Sequence, residues 1–196
     1  MVASPNSSYI SPEDYLHEEE QRTHKHEYRQ GQVYAMAGAS NNHVLITVNL
    51  SSLLRNHLRG KGCLPYIADT KVRIESINTY YYPDLLVTCD SRDREFSNYL
   101  CYPCLIVEVL SQTTEAFDRG DKFTDYRNLD SLQEYVLISQ TKMQVDCFRR
   151  NDRGQWVLYP YGETDTIHFA SIEFECGICP KGSHSVIAAL YEDINF

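Results

Sequence analysis

Two short apolar stretches, each holding one carboxylate, decide the fold. The first is Tyr82-Pro83-Asp84-Leu85-Leu86-Val87, and the second is Leu105-Ile106-Val107-Glu108-Val109-Leu110. Continuous apolar runs of this kind are typical of central strands that helices cover on both faces. An ionised acid in such a strand costs several kcal/mol unless a cation, hydrogen bonds or a raised pKa compensates. The pair therefore predicts a buried sheet with a functional site near its centre.

The surrounding segments predict an α/β arrangement. Apolar residues at steps of three and four predict a helix over about Asn42–Arg59. Thr113–Asn128 is polar with a few aromatics and predicts a loop leading into a partly exposed helix. We predict strands at Leu64–Ile74, Tyr80–Cys89, Cys104–Leu110 and Glu134–Ser139. The centre of the fold is then a helix, three strands, a helix and a strand.

Additions flank this core at both ends. Ser11-Pro12-Glu13-Asp14 predicts a capped helix that runs to about Gln21, and a β-hairpin follows over Glu27–Ala37. At the C-terminal end we predict a hairpin from Lys142–Arg149 and Gln155–Tyr159, and a short helix at Val186–Leu190. No repeat or linker divides residues 1–196, so the chain is expected to be one domain.

The two strand carboxylates are candidate metal ligands. Alternation along a strand puts Asp84 on the face of Leu86, and Glu108 on the face of Ile106 and Leu110. If the strands are neighbours, the acids could share a cation, and an oxygen-rich site suits Mg²⁺ or Mn²⁺. The alternative is that each acid pairs separately with an arginine or lysine, or meets water at a strand end.

An ordered set of motifs resembles a known family. The motifs are Tyr82-Pro83-Asp84, Val107-Glu108-Val109-Leu110-Ser111, Asp118…Lys122…Tyr126 and Glu134-Tyr135-Val136-Leu137. Together they resemble the Uma-two family of restriction-endonuclease-like proteins, which is abundant in cyanobacteria. The resemblance runs from about Ser11 to Arg150 and implies the PD-(D/E)XK nuclease fold. It also implies a metal-dependent hydrolase that cuts phosphodiester bonds, with DNA as the expected substrate.

Carried over by position, Asp84 and Glu108 match the two metal-binding acids of the nuclease motif. The motif lysine expected two residues after the glutamate is absent, because position 110 is Leu110. The resemblance implies a lysine relocated to the next helix, which here is Lys122, where it could orient the attacking water. The alternative is a solvated lysine paired with Asp118 or Asp125. Lys71 is the second candidate lysine.

Two further residues are candidates for the same site. Glu27 opens the predicted hairpin and could join the metal ligands, although an exposed hairpin glutamate is the alternative. His43 starts the inward face of the long helix and could contact substrate or metal. Its alternative is a histidine bonded to backbone at the helix start.

Two other functions compete with an active nuclease. The missing lysine at position 110 leaves open a nuclease-fold protein that binds nucleic acid or a protein partner without cleaving it. The pairs Cys101…Cys104 and Cys176…Cys179 leave open a structural zinc site, although their separation exceeds common zinc spacings. The seven cysteines are otherwise expected to be mostly reduced thiols.

The net charge of −9 argues against a broad basic surface for nucleic acid. The acids concentrate at the two ends: Glu13–Glu20 holds five, and residues 159–196 hold six against one lysine. The remainder is nearly neutral, so contact with DNA is expected in a local cleft. No signal peptide or membrane span is evident, which predicts a cytoplasmic protein. A homodimer is expected by analogy with enzymes that cut both strands.

Overall fold

Three β-sheets and a few helices make up the structure, which is a computed structural model describing residues 9–178 and 190–194. The helices are α1 (Pro12–Glu19), α2 (Asn41–His57), α3 (Glu115–Phe117) and α4 (Phe123–Tyr126). The strands are β1 (His26–Arg29), β2 (Gln32–Ala35), β3 (Leu64–Ile67), β4 (Lys71–Ile74), β5 (Thr79–Tyr81), β6 (Leu85–Thr88), β7 (Tyr99–Leu100), β8 (Pro103–Leu110), β9 (Glu134–Ser139), β10 (Val145–Arg150), β11 (Trp156–Tyr161), β12 (Thr166–Phe169) and β13 (Phe174–Gly177).

The six-stranded sheet contains the predicted core. Its strand order is β11-β10-β9-β8-β6-β3, and β6 and β8 are adjacent and antiparallel with Leu86 opposite Ile106. β8 and β9 pair in parallel, which requires a crossover, and the helical segment from α3 to α4 supplies it. The chain therefore follows the predicted sequence of a helix, three strands, a helix and a strand. Every residue of β6 and β8 is buried, as expected for central strands.

Each face of this sheet packs against its own apolar cluster. The three- and four-residue steps of α2 place Ile46, Leu50 and Leu54 against one face, together with Val107 of β8. The opposite face contacts Tyr126 of α4, among other residues. Alternation along β8 turns Glu108 toward this second face, since Ile106 and Leu110 both belong to its cluster.

A five-stranded sheet, in the order β2-β1-β5-β4-β7, carries the N-terminal additions. The predicted hairpin is present as β1 and β2, and its two-residue turn is Gln30-Gly31, with φ of 51° and 92°. Positive φ at both positions suits the tight turn that matches strand twist. The Ser11 side chain accepts the Asp14 N–H, as predicted, although α1 ends at Glu19 rather than near Gln21.

Two predicted strands are each divided between the two sheets. Leu64–Ile74 breaks into β3 and β4, and Tyr80–Cys89 breaks into β5 and β6. The prediction that Asp84 lies inside a strand is therefore wrong: it lies at the bend that precedes β6. Pro83 explains the second break, because proline has no N–H to donate to a central ladder.

The helical crossover contains one feature that the sequence does not predict. Between α3 and α4 the residues Asp118–Lys122 form a π-helical turn. Asp118 and Lys122 at the ends of this turn are buried, whereas Arg119, Gly120 and Asp121 between them are exposed, so the segment is partly exposed, as predicted. Short π-helical turns occur frequently at functional sites.

The C-terminal β additions are present as β10, β11 and the β12–β13 pair. Most of the predicted helix at Val186–Leu190 lies outside the described residues. Within residues 9–178 and 190–194, we find no helix that could span a membrane. That the whole chain forms one domain stays a prediction.

The packing of α2 gives a stability test. Leu50 is 1% exposed, whereas Val48 on the same helix is 46% exposed. We expect Leu50→Ala to lower the free energy of unfolding by about 2–5 kcal/mol, because it leaves a cavity in the core. Val48→Ala is the matched control and should change it by less than about 0.5 kcal/mol. Guanidinium denaturation measures both, and equal losses would contradict the packing of α2.

Candidate nuclease site

A cleft of about 640 Å³ opens where the two sheets and the helical crossover meet. Its lining includes four acids, which are Glu27, Asp84, Glu108 and Asp118. Lys122 and His43 also line it, together with the Gly38–Ser40 segment that precedes α2. Five of the six candidate site residues predicted from the sequence thus meet in one cleft.

Asp84 is held at the cleft by both of its carboxylate oxygens. The Val109 N–H donates to Oδ2 at 2.7 Å, and the ring Nε2 of His43 donates to Oδ1 at 2.8 Å. The Asp84 side chain is 23% exposed, so it remains accessible from the cleft. The His43 ring therefore contacts a carboxylate, whereas the backbone N–H of His43 donates to the side chain of Ser40, which caps α2. The ring contact differs from the alternative in which His43 bonds only backbone at the helix start.

Lys122 lies between two buried carboxylates. Its Nζ is 3.0 Å from Glu27 Oε1 and 3.0 Å from Glu108 Oε1. All three side chains are almost fully buried, so the ammonium is not the solvated helix lysine of the alternative reading. The Tyr82 N–H also donates to Glu27, which lies in the interior rather than on an exposed hairpin. Such pairs depend on both partners, because removing one leaves a buried uncompensated charge.

The π-helical turn brings a third acid to the lysine. Asp118 begins the turn and Lys122 ends it, with Asp118 Oδ1 3.8 Å from the lysine Nζ. One turn further on, the Tyr126 hydroxyl donates to Glu108 Oε1 at 3.1 Å. The spacing of Asp118, Lys122 and Tyr126 thus places an acid, a cation and a hydroxyl donor over Glu108.

The charge balance of the cleft is acidic. Burial raises the pKa of Glu108 well above its usual value, Lys122 opposes that shift, and the charges of Asp84 and Asp118 add to it. Burial also raises the pKa of Asp118. For Lys122 burial acts to lower the pKa, but the surrounding acids outweigh it and the pKa is raised well above its usual value. Three acids surround one buried ammonium and Asp84 adds a fourth carboxylate to the cleft, so the cleft would stabilise a further cation.

This donor set fits a hard divalent cation. Within residues 9–178 and 190–194, no three His, Cys, Asp or Glu side chains form a ready-made metal cage. Mg²⁺ does not need one, because it binds through one or two carboxylates and keeps several waters. Asp84 and Glu108 would hold the ion, and the excess of acids over Lys122 supplies the attraction.

Lys71 does not reach the cleft. It lies on β4 in the other sheet, and its Nζ donates to the Tyr82 hydroxyl at 3.2 Å. It lines a separate cavity of about 250 Å³ beside Tyr99. Lys71 is therefore not positioned to act as the lysine of the candidate site. Asp125 is likewise not a partner of Lys122: it pairs with Arg29 at 2.8 Å and accepts the Tyr81 hydroxyl at 2.6 Å.

The cysteines of the zinc alternative do not assemble in the described part of the chain. Cys104 and Cys176 are both buried in the apolar cluster under α2. Cys179 lies outside the described residues. One disulfide is present, between Cys63 and Cys89, where reduced thiols had been expected to predominate. Four other described cysteines are free, which agrees with mostly reduced thiols.

The sequence indicated Asp118 only as part of a motif and as an alternative partner of Lys122, and Tyr126 only as part of the motif, and it did not indicate the backbone donor on Val109. The signal for the first two was their spacing from Lys122, four residues on either side, which repeats one helical face. Nothing in the sequence reveals that the Val109 N–H would face Asp84, because that contact requires the break before β6.

Comparisons with known proteins agree with this fold. Residues 12–178 match the model of the Uma2 family, described as "Putative restriction endonuclease". Two Synechocystis proteins are similar: uncharacterized protein slr1290 is 46% identical, covering 88% of this chain and 92% of its own length. Uncharacterized protein sll1609 is 34% identical, covering 87% and 98%.

One solved structure resembles the described fold. It is the crystal structure of a "putative nuclease belonging to DUF820" from Anabaena variabilis, with a TM-score of 0.71. It covers 86% of this chain and 95% of that one at 15% identity, so the likeness concerns the fold. The architecture is therefore of the restriction-endonuclease-like type.

The charge cluster around Lys122 gives a stability test with a defined pH dependence. We expect Lys122→Met to lower the free energy of unfolding at pH 8 by about 3–5 kcal/mol, because the buried acids lose their cation. The loss should be smaller at pH 5. Lys122 opposes the rise in the Glu108 pKa, so its removal raises that pKa further in the folded variant, and a protonated Glu108 at low pH needs no cation.

Guanidinium denaturation at both pH values measures this effect. Lys142→Met is the matched control, since Lys142 is exposed, and it should leave the free energy of unfolding nearly unchanged at either pH. A Lys122→Met loss of the same size at pH 5 and pH 8 would show that the lysine does not neutralise the buried acids.

Proposed function

Because the chain belongs to the Uma2 family of restriction-endonuclease-like proteins, we propose that it is a metal-dependent endonuclease that hydrolyses phosphodiester bonds in DNA. The observation that carries the proposal is the meeting of Asp84, Glu108 and Lys122 in one cleft. A pair of carboxylates can hold a cation, and an adjacent lysine can donate or accept a proton during the attack of water on phosphate.

Asp84 and Glu108 are the proposed ligands of Mg²⁺ or Mn²⁺. Asp84 is oriented by the Val109 N–H and by His43, and Glu108 by Tyr126. These contacts restrict the rotation of both carboxylates and so prepare them for a ligand before it arrives. When bound, the cation would neutralise phosphate charge and lower the pKa of water at the site.

Lys122 is the proposed catalytic lysine. It takes the role of the motif lysine, whose position is occupied by Leu110 in this chain. Its ammonium is already directed at Glu108 Oε1 and lies in the cleft lining. There it can donate a hydrogen bond to the attacking water or to a phosphate oxygen as negative charge develops. Glu27 and Asp118 hold the ammonium charged, because both carboxylates surround its Nζ.

Nicking of plasmid DNA in Mg²⁺ or Mn²⁺ tests the proposal. We expect Asp84→Asn and Glu108→Gln to reduce the cleavage rate by about 100-fold or more, because each removes a group that holds the stabilising charge. Asp152→Asn is the matched control, since Asp152 is an exposed residue in the β10–β11 turn. It should cleave at the wild-type rate.

Two outcomes would overturn the catalytic assignment. Equal nicking by wild type and Asp84→Asn would attribute the activity to other residues or to a contaminant. Metal binding without cleavage of any nucleic acid would favour the second candidate, a protein of this fold that binds without cutting. The observation that favours this second candidate is Leu110 at the position of the motif lysine. Duplex cleavage by a homodimer stays a prediction.

His43 is a proposed positioning residue rather than a catalytic one. It acts through Asp84, because its ring bonds Asp84 Oδ1. We expect His43→Gln to weaken Mn²⁺ binding by about 10–100-fold, as loss of a residue that orients a ligand does. Calorimetry of the metal alone measures this, and His57→Gln on the same helix is the control. His57 bonds the Ile172 carbonyl far from the cleft. Unchanged affinity in His43→Gln would remove the positioning role.

A further inference from the structure

Three cysteines meet at the ends of three neighbouring strands, away from the acidic cleft. Cys63 precedes β3, Cys89 follows β6 and Cys104 is the second residue of β8. Cys63 and Cys89 form the disulfide, and the Cys104 sulfur is 3.7 Å from the Cys89 sulfur. Cys89 therefore lies between its bonded partner and a free thiol.

A β-bulge places the third sulfur there. On β6, Val87 pairs with Leu105 and Thr88 pairs with Pro103, so Cys104 is the extra residue on β8. A bulge redirects the side chain of its extra residue. Here the Cys104 thiol donates to the Val87 carbonyl and faces the disulfide.

The three cysteines differ in their exposure to solvent: the disulfide is accessible and the free thiol is buried. Cys89 is exposed and Cys63 is half-buried, so the disulfide can be reached from solvent. Cys104 is 8% exposed and lies behind it. An external thiol thus meets the disulfide first, and the internal thiol is available only to Cys89.

We propose that Cys63, Cys89 and Cys104 form a thiol–disulfide exchange site that reacts with dithiol reductants. In the internal step the Cys104 thiolate attacks the Cys89 sulfur, and a Cys89–Cys104 bond forms as the Cys63–Cys89 bond breaks. Cys63 leaves as a thiolate and takes up the proton that Cys104 released, so no net oxidation occurs.

The reductive step opens either disulfide to two thiols. A dithiol gives two electrons and two protons to whichever disulfide is present, and it becomes a disulfide itself. The internal step moves the cross-link from the edge strand β3 onto the central pair β6 and β8. Burial raises the pKa of the Cys104 thiol to about 11, which keeps most of it protonated at neutral pH. The internal step is therefore slow at neutral pH.

Disulfide mapping of the folded full-length chain tests the proposal. Cys101 and Cys104 lie on one tryptic peptide, so the experiment uses a Cys101→Ser background. The folded protein is held at pH 8 in a mixture of reduced and oxidised glutathione, whose disulfide is the oxidant for any new link. It is then quenched with acid, alkylated, digested and analysed by mass spectrometry. We expect two linked products, Cys63–Cys89 and Cys89–Cys104, and dithiothreitol should abolish both. The peptide with Cys147 is the internal control and should remain unlinked.

Single variants in the same background separate the two bonds. Cys63→Ser should form only the Cys89–Cys104 link, and Cys104→Ser only the Cys63–Cys89 link. Circular dichroism confirms that each variant is folded before mapping. Absence of any Cys89–Cys104 link in the background protein would overturn the exchange site, and this result does not depend on a variant that folds poorly. So would a Cys63→Ser protein that folds and leaves Cys89 and Cys104 alkylated.

Discussion

The burial of Glu108 is the constraint on which the rest of the site depends. A strand with every residue buried offers a carboxylate no water, so the charge must be met by neighbouring side chains. Lys122 provides the cation and Tyr126 provides a hydroxyl donor. Both residues come from the crossover that joins the parallel strands β8 and β9. The same connection therefore provides the cation and the hydroxyl donor that contact Glu108. The π-helical turn allows Asp118 and Lys122 to be buried together.

The break at Tyr82-Pro83-Asp84 has an equally large effect on the other acid. If Asp84 continued a strand, it would be buried like its neighbours in β6. At the bend it keeps part of its surface exposed and receives the Val109 N–H, which joins it directly to the strand that carries Glu108. The same break sends the preceding residues into the second sheet, where β5 pairs with β1 of the hairpin that carries Glu27. The break at Pro83, together with the one between β3 and β4, thus divides the chain between the two sheets that border the cleft.

Local patterns were enough to predict the core, because helix periodicity and fully apolar strands are properties of short stretches. The α2 face, the existence of β6 and β8 as buried strands, and the β10–β11 hairpin follow from such patterns. Asp84, Glu108 and Lys122 could be named from motifs, but their convergence depends on strand order. Lys71 shows the limit: it lies in the predicted first strand, Leu64–Ile74, and only the passage of its part of that strand into the other sheet removes it from the cleft. Cys63, Cys89 and Cys104 are far apart in sequence, and their contact also needs the register of three strands.

The acidity of the cleft couples the binding of the proposed divalent cation to the binding of the proposed phosphodiester substrate. Glu27, Asp84, Glu108 and Asp118 outnumber the one buried ammonium, so an approaching phosphate meets net repulsion until further positive charge is present. A bound divalent cation would offset two of these negative charges, and it is often the largest charge in such a site. Cation and phosphodiester should therefore bind cooperatively, each raising the affinity of the other by the same factor. Under the proposed function, this coupling would allow a chain of net charge −9 to bind a polyanionic substrate without a broad basic surface. The positive charge is needed only at the cleft, and there it can be supplied by the cation and Lys122.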